Sequence, residues 1–365
     1  MTPIVPELTP LQRRLAYVRD HADVDWVMGI ENVPEWSKLP VLSTPRDRPW
    51  LYESTQGAPD LIKRVVRRER AFGKGWCSDE NILITNGGFN ALGMYFRHMH
   101  RIGYRVVICQ APVLRSVFDL IRSSYLRPIL ASVDEASTLL HAHPKSTAVV
   151  YLCSPQNPTG AVLHVDDVGS LIADVQRTAS AVVIDSVYDS YCFTRSLDVR
   201  DYGRLPPASV TFVNSMSKNY GAPGIRIGWL VGNSDLIGQL IVRQEYESIA
   251  VNGLGQAAAI DLLDAGNSEL IARVADGRSQ VQDWWLARGN YPELRIDGGT
   301  QAALPVLAST DPEKLADDLM LRHDVVVSSS ANYRGVSYPF LRLPLGVPRA
   351  RLDTILSAYD QVHQE

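Results

Sequence analysis

From about residue 80 onward, short apolar runs alternate with stretches of helical periodicity. The runs at 82–84, 106–109, 149–152, 182–184, 210–213 and 229–231 are mostly apolar on both faces, the pattern of strands covered by helices on each side. Helical patterns at 90–101, 113–123 and 166–178 separate several of them. This β-α-β-α rhythm predicts an α/β fold on a mostly parallel open sheet, with its site at the carboxyl ends of the strands. After about residue 235 the pattern changes to three helices, at 236–250, 254–265 and 268–288. A Gly298-Gly299 break then precedes a strand at 303–307, a helix at 311–322, strands at 325–327 and 341–343, and a closing helix at 349–363. That second series predicts a smaller α+β unit. Upstream, a basic amphipathic helix is expected at 11–20 and a strongly basic one at 61–72, with Pro59 and Asp60 in its first turn. The expected division is an N-terminal arm or part of the small domain over 1–45, a large domain over 46–265 and a small domain over 266–365.

Composition narrows the class. The chain has 365 residues, 45% hydrophobic and 21% charged, ordinary values for a soluble protein with a substantial core. A net charge of −4 gives no basic patch and argues against a nucleic-acid partner. The cysteines Cys77, Cys109, Cys153 and Cys192 are scattered, with no CxxC spacing, so no metal is expected. Neither a basic-then-apolar leader nor an uninterrupted membrane-length run is seen. The expectation is a cytoplasmic protein with no membrane partner.

Polar residues at four strand ends carry the chemistry. The central stretch runs from Asn214 to Trp229, where Lys218 follows an apolar strand between Ser215, Ser217 and, downstream, Arg226. An amine there can form a Schiff base with an aldehyde, while the hydroxyls and the guanidinium hold a phosphate. Ser-x-Ser-Lys alone fits a surface lysine in a Gly/Pro loop equally well. Thr85-Asn86-Gly87-Gly88-Phe89 opens a helix whose free N–H groups can bind an anion; a plain turn reads the same. In Ser154-Pro155-Gln156-Asn157-Pro158, Asn157 is held between two prolines and can hydrogen-bond a phenolate oxygen. Asp185 ends an apolar strand, a poor place for an unpaired carboxylate. It suits a protonated pyridine nitrogen or, alternatively, a helix N-cap. Tyr188 stands three residues on, within reach of the same ring oxygen as Asn157.

Together these motifs resemble the class I/II aminotransferase family of fold-type I pyridoxal 5'-phosphate enzymes, from about Trp50 to the C-terminus. The resemblance implies that Lys218 carries the cofactor and then serves as acid and base. It implies that Asp185 pairs the pyridine nitrogen and that Asn157 and Tyr188 bind the ring oxygen. Ser215, Ser217 and Arg226 would hold the phosphate with the Gly88 and Phe89 backbone. Arg342, in Phe340-Leu341-Arg342-Leu343-Pro344, matches the arginine that takes a substrate α-carboxylate. Tyr52 matches a tyrosine that reaches the neighbouring subunit's phosphate, which implies a homodimer with shared sites. Asn252, at the head of a helix, is a further candidate for the partner's site.

Three positions depart from the family pattern. Leu114 or Val113 falls where an aromatic ring usually covers the cofactor face, and Phe89 stands where a small residue is usual. Gly29-Ile30-Glu31-Asn32 replaces the Gly-rich substrate loop, so Glu31 is a candidate partner for a cationic or hydroxylated substrate group, or a solvated acid. The expected substrate is an α-amino acid or a larger compound with an α-amino-carboxylate, and the expected reaction is transamination. The same residues also serve β/γ-elimination (a C–S lyase), cyclisation or oxidative deamination, as in aminotransferase-like enzymes of secondary metabolism. A non-catalytic sensor module is the remote alternative.

Overall fold

The computed structural model describes residues 10–21, 27–28, 33–43, 50–194, 199–205, 208–288, 294–307 and 309–364. In chain order the elements begin with α1 (Pro10–Asp20), β1 (Val27–Met28), α2 (Pro59–Ala71), β2 (Ile82–Thr85), α3 (Gly88–Arg101), β3 (Val106–Gln110) and β4 (Val113–Leu114). Next come α4 (Arg115–Ser123), β5 (Arg127–Ala131), α5 (Val133–Ala142), β6 (Ala148–Cys153), α6 (Val165–Arg177), β7 (Ala181–Asp185), β8 (Val210–Ser215), α7 (Met216–Asn219) and β9 (Gly228–Val231). The rest are α8 (Ser234–Ser248), α9 (Gly253–Ala265), α10 (Ser268–Leu286), β10 (Gln301–Pro305), α11 (Pro312–His323), β11 (Val325–Val326), β12 (Ser328–Ser329), β13 (Tyr333–Arg334), β14 (Phe340–Pro344) and α12 (Arg349–Gln364).

Seven strands form one sheet in the order β2-β9-β8-β7-β6-β3-β5. All pairs are parallel except those made by β9, which runs against both β2 and β8. The two-residue alternation of each strand splits its side chains between two cores. Ile82, Ile84, Val150, Leu152, Val182 and Ile184 pack with α2, α5, α6 and α9. Leu83, Val149, Tyr151, Cys153 and Val183 pack with α3, α4 and α8. Burial on both faces explains why these strands read as continuous apolar runs.

One strand lies outside the expected series. β5 is one edge of the sheet, partly exposed and carrying Pro128 before its short apolar run, and an edge strand tolerates the proline because one row of its backbone groups faces solvent. The helix expected at 113–123 also starts later. Val113 and Leu114 are extended and pair antiparallel with β13, Leu114 opposite Tyr333, so the helix begins at Arg115. The strand expected at 325–327 is two short ones, because Val325 and Val326 pair with β1 while Ser328 and Ser329 pair with β14.

A separate core lies under the three-stranded sheet β10-β14-β12, among α10, α11 and α12. Trp285, Leu319, Leu343 and Ile355 are buried within it. Arg342 occupies the central strand of this sheet, opposite Ala303 on one side and Ser328 on the other. Among the described residues, no helix is long and apolar enough to cross a membrane.

Candidate active site

The carboxyl ends of β2, β6, β7 and β8 lie at one edge of the large sheet, and a cavity of about 260 Å³ opens there. Gly88, Phe89, Leu114, Asn157, Asp185, Tyr188, Ser215, Ser217, Lys218 and Arg226 all line it. Segments as far apart as Gly88 and Arg226 therefore converge as the strand-end argument requires. Glu31 lies outside the described residues. Tyr52 is 83% exposed in the single chain and is not part of the cavity wall. Asn252 is the N-cap of α9, its side-chain oxygen accepting the Gly255 N–H at 2.5 Å.

Lys218 sits in α7, a single turn at the end of β8, and is half-buried. A buried polar network fixes the turn from below. Asp189 takes hydrogen bonds from Asn214 Nδ2 at 2.8 Å and Asn219 Nδ2 at 2.7 Å, and is paired with Arg68 of α2. The Tyr191 hydroxyl donates to the Lys218 carbonyl at 3.0 Å, and Asn267 Nδ2 donates to the Asn219 carbonyl at 2.7 Å. Glu69, beside Arg68, is paired with Lys74 at 2.7 Å and accepts the Trp229 indole N–H at 3.0 Å. Such a network is stabilising only when its members are satisfied, and its mutual bonds make it rigid.

Asp185 is buried at the end of β7, where the Tyr151 hydroxyl donates to Oδ2 at 3.0 Å and the Val187 N–H approaches Oδ1 at 3.4 Å. Burial raises its pKa from the ordinary 3.8 to about 6, against the opposing pull of those two donors. Burial likewise raises Tyr188, with the Arg342 cation pulling the other way.

The Asn157 side chain meets two residues of the C-terminal sheet region. Tyr333 donates its hydroxyl to Asn157 Oδ1 at 2.8 Å, and Arg342 Nη1 donates to that hydroxyl at 3.0 Å. Arg342 is buried behind the cavity wall and reaches Asn157, which lines it, through the Tyr333 hydroxyl. Leu114 and Val113 both line the cavity, so this part of its wall is aliphatic. Phe89, 43% exposed, stands at the same cavity as the start of α3.

The chemistry of these groups fits pyridoxal 5'-phosphate. Gly87 caps α3 with no side-chain hydrogen bond, which leaves first-turn N–H groups for an anion. Arg226 adopts φ 57° and donates to the carbonyls of Pro223 at 3.0 Å and Asn86 at 3.4 Å; among the described residues it has no carboxylate partner. Gly87 has φ 80°, a backbone conformation that favours glycine, and a Cβ there would stand 2.5 Å from Arg226 Nη2 and push the guanidinium aside. A phosphate dianion would fit this cradle, and a pyridinium nitrogen would suit the buried carboxylate of Asp185.

Three participants were not anticipated from the sequence. Tyr151 offered a signal, a hydroxyl inside an otherwise apolar buried strand that must find a partner. Tyr333 offered none, because its place depends on the pairing of β13 with β4. Asp189 reads as a loop residue until α2 brings Arg68 onto it.

Comparison with known proteins shows the family. The family model for aminotransferase class I and II matches residues 51–358. The 3-methylarginine biosynthesis aminotransferase ArgM of Streptomyces arginensis is 36% identical, covering 98% of this chain and 97% of its own. The L-aspartate:5-guanidino-3-methyl-2-oxopentanoate transaminase of Pseudomonas syringae pv. syringae is 31% identical over 94% of this chain and 91% of its own. The crystal structure of aspartate aminotransferase from Thermotoga maritima superimposes with a TM-score of 0.83 at 18% identity, covering 98% of each chain, and shares the fold. The chain belongs to the class I and II aminotransferases, enzymes that transfer amino groups with pyridoxal 5'-phosphate.

Proposed function

We propose that this aminotransferase exchanges the amino group between a 2-oxoacid and an α-amino acid whose side chain ends in a guanidino or similar cationic group. The observation that carries the amino-acid reading is that Arg342 is linked through the Tyr333 hydroxyl to Asn157, which lines the same cavity as Lys218 and Asp185. The two relatives named above, whose names specify methylarginine biosynthesis and a guanidino oxoacid, support the cationic side chain.

When bound, pyridoxal 5'-phosphate supplies an aldehyde carbon that receives the amino group and a ring that draws electrons from the substrate Cα. In this reading Lys218 Nζ holds the cofactor in the resting enzyme and then moves the proton taken from the substrate Cα. Asp185 keeps the pyridine nitrogen protonated, and its burial strengthens that pairing. The Asn157 amide and the Tyr188 hydroxyl hold the ring oxygen. Ser215, Ser217, Arg226 and the start of α3 hold the phosphate. Arg342 takes the α-carboxylate through a charge-assisted pair. Leu114 and Val113 close one wall with apolar surface and exclude water there. Glu31 is assigned to the cationic end of the substrate, since Asp185 is the only carboxylate among the described residues of the cavity wall.

The active unit in this reading is a homodimer in which Tyr52, exposed on the single chain, reaches the phosphate of the second subunit. A cytoplasmic location accords with the free thiols of Cys77, Cys109 and Cys153. The test is steady-state kinetics with arginine-like, acidic and aromatic amino acids, on wild type and Glu31→Gln. Preference for the cationic substrates, lost in Glu31→Gln, is the expected result. Equal use of all three classes, or an unchanged preference in the variant, overturns the side-chain assignment.

A further inference from the structure

We propose that Tyr333 is a positioning residue that sets the orientation of the Asn157 amide and couples it to the carboxylate-binding Arg342. The inference rests on the reading of Asn157 and Arg342 given above and adds a residue to it. Its ground is the inventory of hydrogen-bond donors. A guanidinium only donates, so the Tyr333 hydroxyl must accept from Arg342 Nη1 at 3.0 Å. The hydroxyl has one proton, and its other neighbour is Asn157 Oδ1 at 2.8 Å. That proton therefore goes to the amide oxygen, and Arg342 Nη1 approaches the same oxygen at 3.5 Å. With Oδ1 engaged from this side, the NH2 end of Asn157 is the end left to donate to an oxygen anion in the cavity it lines. A flipped amide would turn a carbonyl towards that anion and leave the tyrosine proton facing donors.

The fold holds the hydroxyl in place from two directions. Tyr333 is buried, its ring centroid 5.4 Å from that of Phe340, and burial keeps its hydroxyl protonated across the working pH range. Its backbone pairs with Leu114, at the cavity wall in the segment that follows β3. One residue thus ties the strand that carries Arg342 to the loop that carries Asn157, and a carboxylate arriving at Arg342 acts on the amide through a single hydroxyl.

The test is Tyr333→Phe, which removes the hydroxyl and keeps the ring, beside Phe340→Leu, which loosens the packing and keeps the hydroxyl. Two quantities are read on the cofactor-loaded protein without turnover. They are the calorimetric affinity for a 2-methyl amino acid, which has no Cα–H to give up, and the pH at which the cofactor absorbance changes. Loss of the amide donor leaves the ring oxygen holding its share of a proton more tightly, so that pH rises. The expected result for Tyr333→Phe is an affinity loss of about tenfold and a rise of about one pH unit, the size of one charge-assisted hydrogen bond. Phe340→Leu should change neither. Unchanged values in Tyr333→Phe, or equal changes in both variants, overturn the proposal. Arg342→Ala separates the two levels. If it weakens the ligand while Tyr333→Phe does not, Tyr333 alone is misassigned. If it too has no effect, the carboxylate reading falls and the coupling falls with it.

Discussion

Tyr151 and Asp185 lie on adjacent parallel strands, and the tyrosine hydroxyl donates to the carboxylate at 3.0 Å in the buried floor of the cavity. The pair leaves a protein acid partly hydrogen-bonded yet cut off from water, which is why its pKa rises from 3.8 to about 6.

That shift predicts a pH dependence in the cofactor-free protein. The folded state binds the Asp185 proton more tightly than the unfolded chain, so its contribution is greatest below about pH 4 and falls by about 3 kcal/mol as pH rises to about 6. Urea denaturation across this range should show the difference in slope between wild type and Asp185→Asn. Tyr151→Phe removes a donor to the ionised form and should move the fall to higher pH. Parallel profiles for wild type and Asp185→Asn would contradict the assignment.

The network beneath Lys218 predicts a stability effect. Asp189→Asn leaves the buried Arg68 guanidinium with Glu69 as its remaining acid partner among the described residues. A loss of about 3 kcal/mol in denaturant unfolding is expected, the scale for breaking a buried ion pair. A change below about 1 kcal/mol, the range of exposed pairs, would show that the network is not energetically coupled.

Gly87 separates fold stability from cofactor retention. Gly87→Ala places a Cβ against Arg226 in a positive-φ position. The fold should lose about 1–2 kcal/mol from the backbone conformation. The affinity for pyridoxal 5'-phosphate, measured by dialysis, should fall by about tenfold or more as the guanidinium is displaced. Unchanged cofactor affinity would remove Arg226 from the phosphate cradle.

The large sheet was legible because six of its seven strands are buried on both faces, and their polar terminators stood out against apolar runs. Asp185 directly follows four apolar residues, Ala181 to Ile184, and Lys218 stands five positions after the largely apolar run Val210 to Val213. β5 was missed because its apolar run, Ile129-Leu130-Ala131, is short and opens on Pro128, which argues against a strand in the sequence. Residues that act at a distance were hidden as well. Arg68 and Asp189 are 121 positions apart, and Tyr333 meets Asn157 across 176. Long-range pairing places these side chains, and local periodicity carries no trace of it.

The central claim is amino-group transfer at Lys218, and a single-turnover half-reaction tests it most directly. The loaded enzyme is mixed with an α-amino acid without acceptor, and the 2-oxoacid and the cofactor form are quantified. The account predicts one equivalent of 2-oxoacid per site, with the cofactor left in its amine form and restored by adding a 2-oxoacid; Lys218→Ala should release none. Release of ammonia or thiol, or formation of a cyclised product, with no amine form of the cofactor would contradict it, as would undiminished transfer by Lys218→Ala.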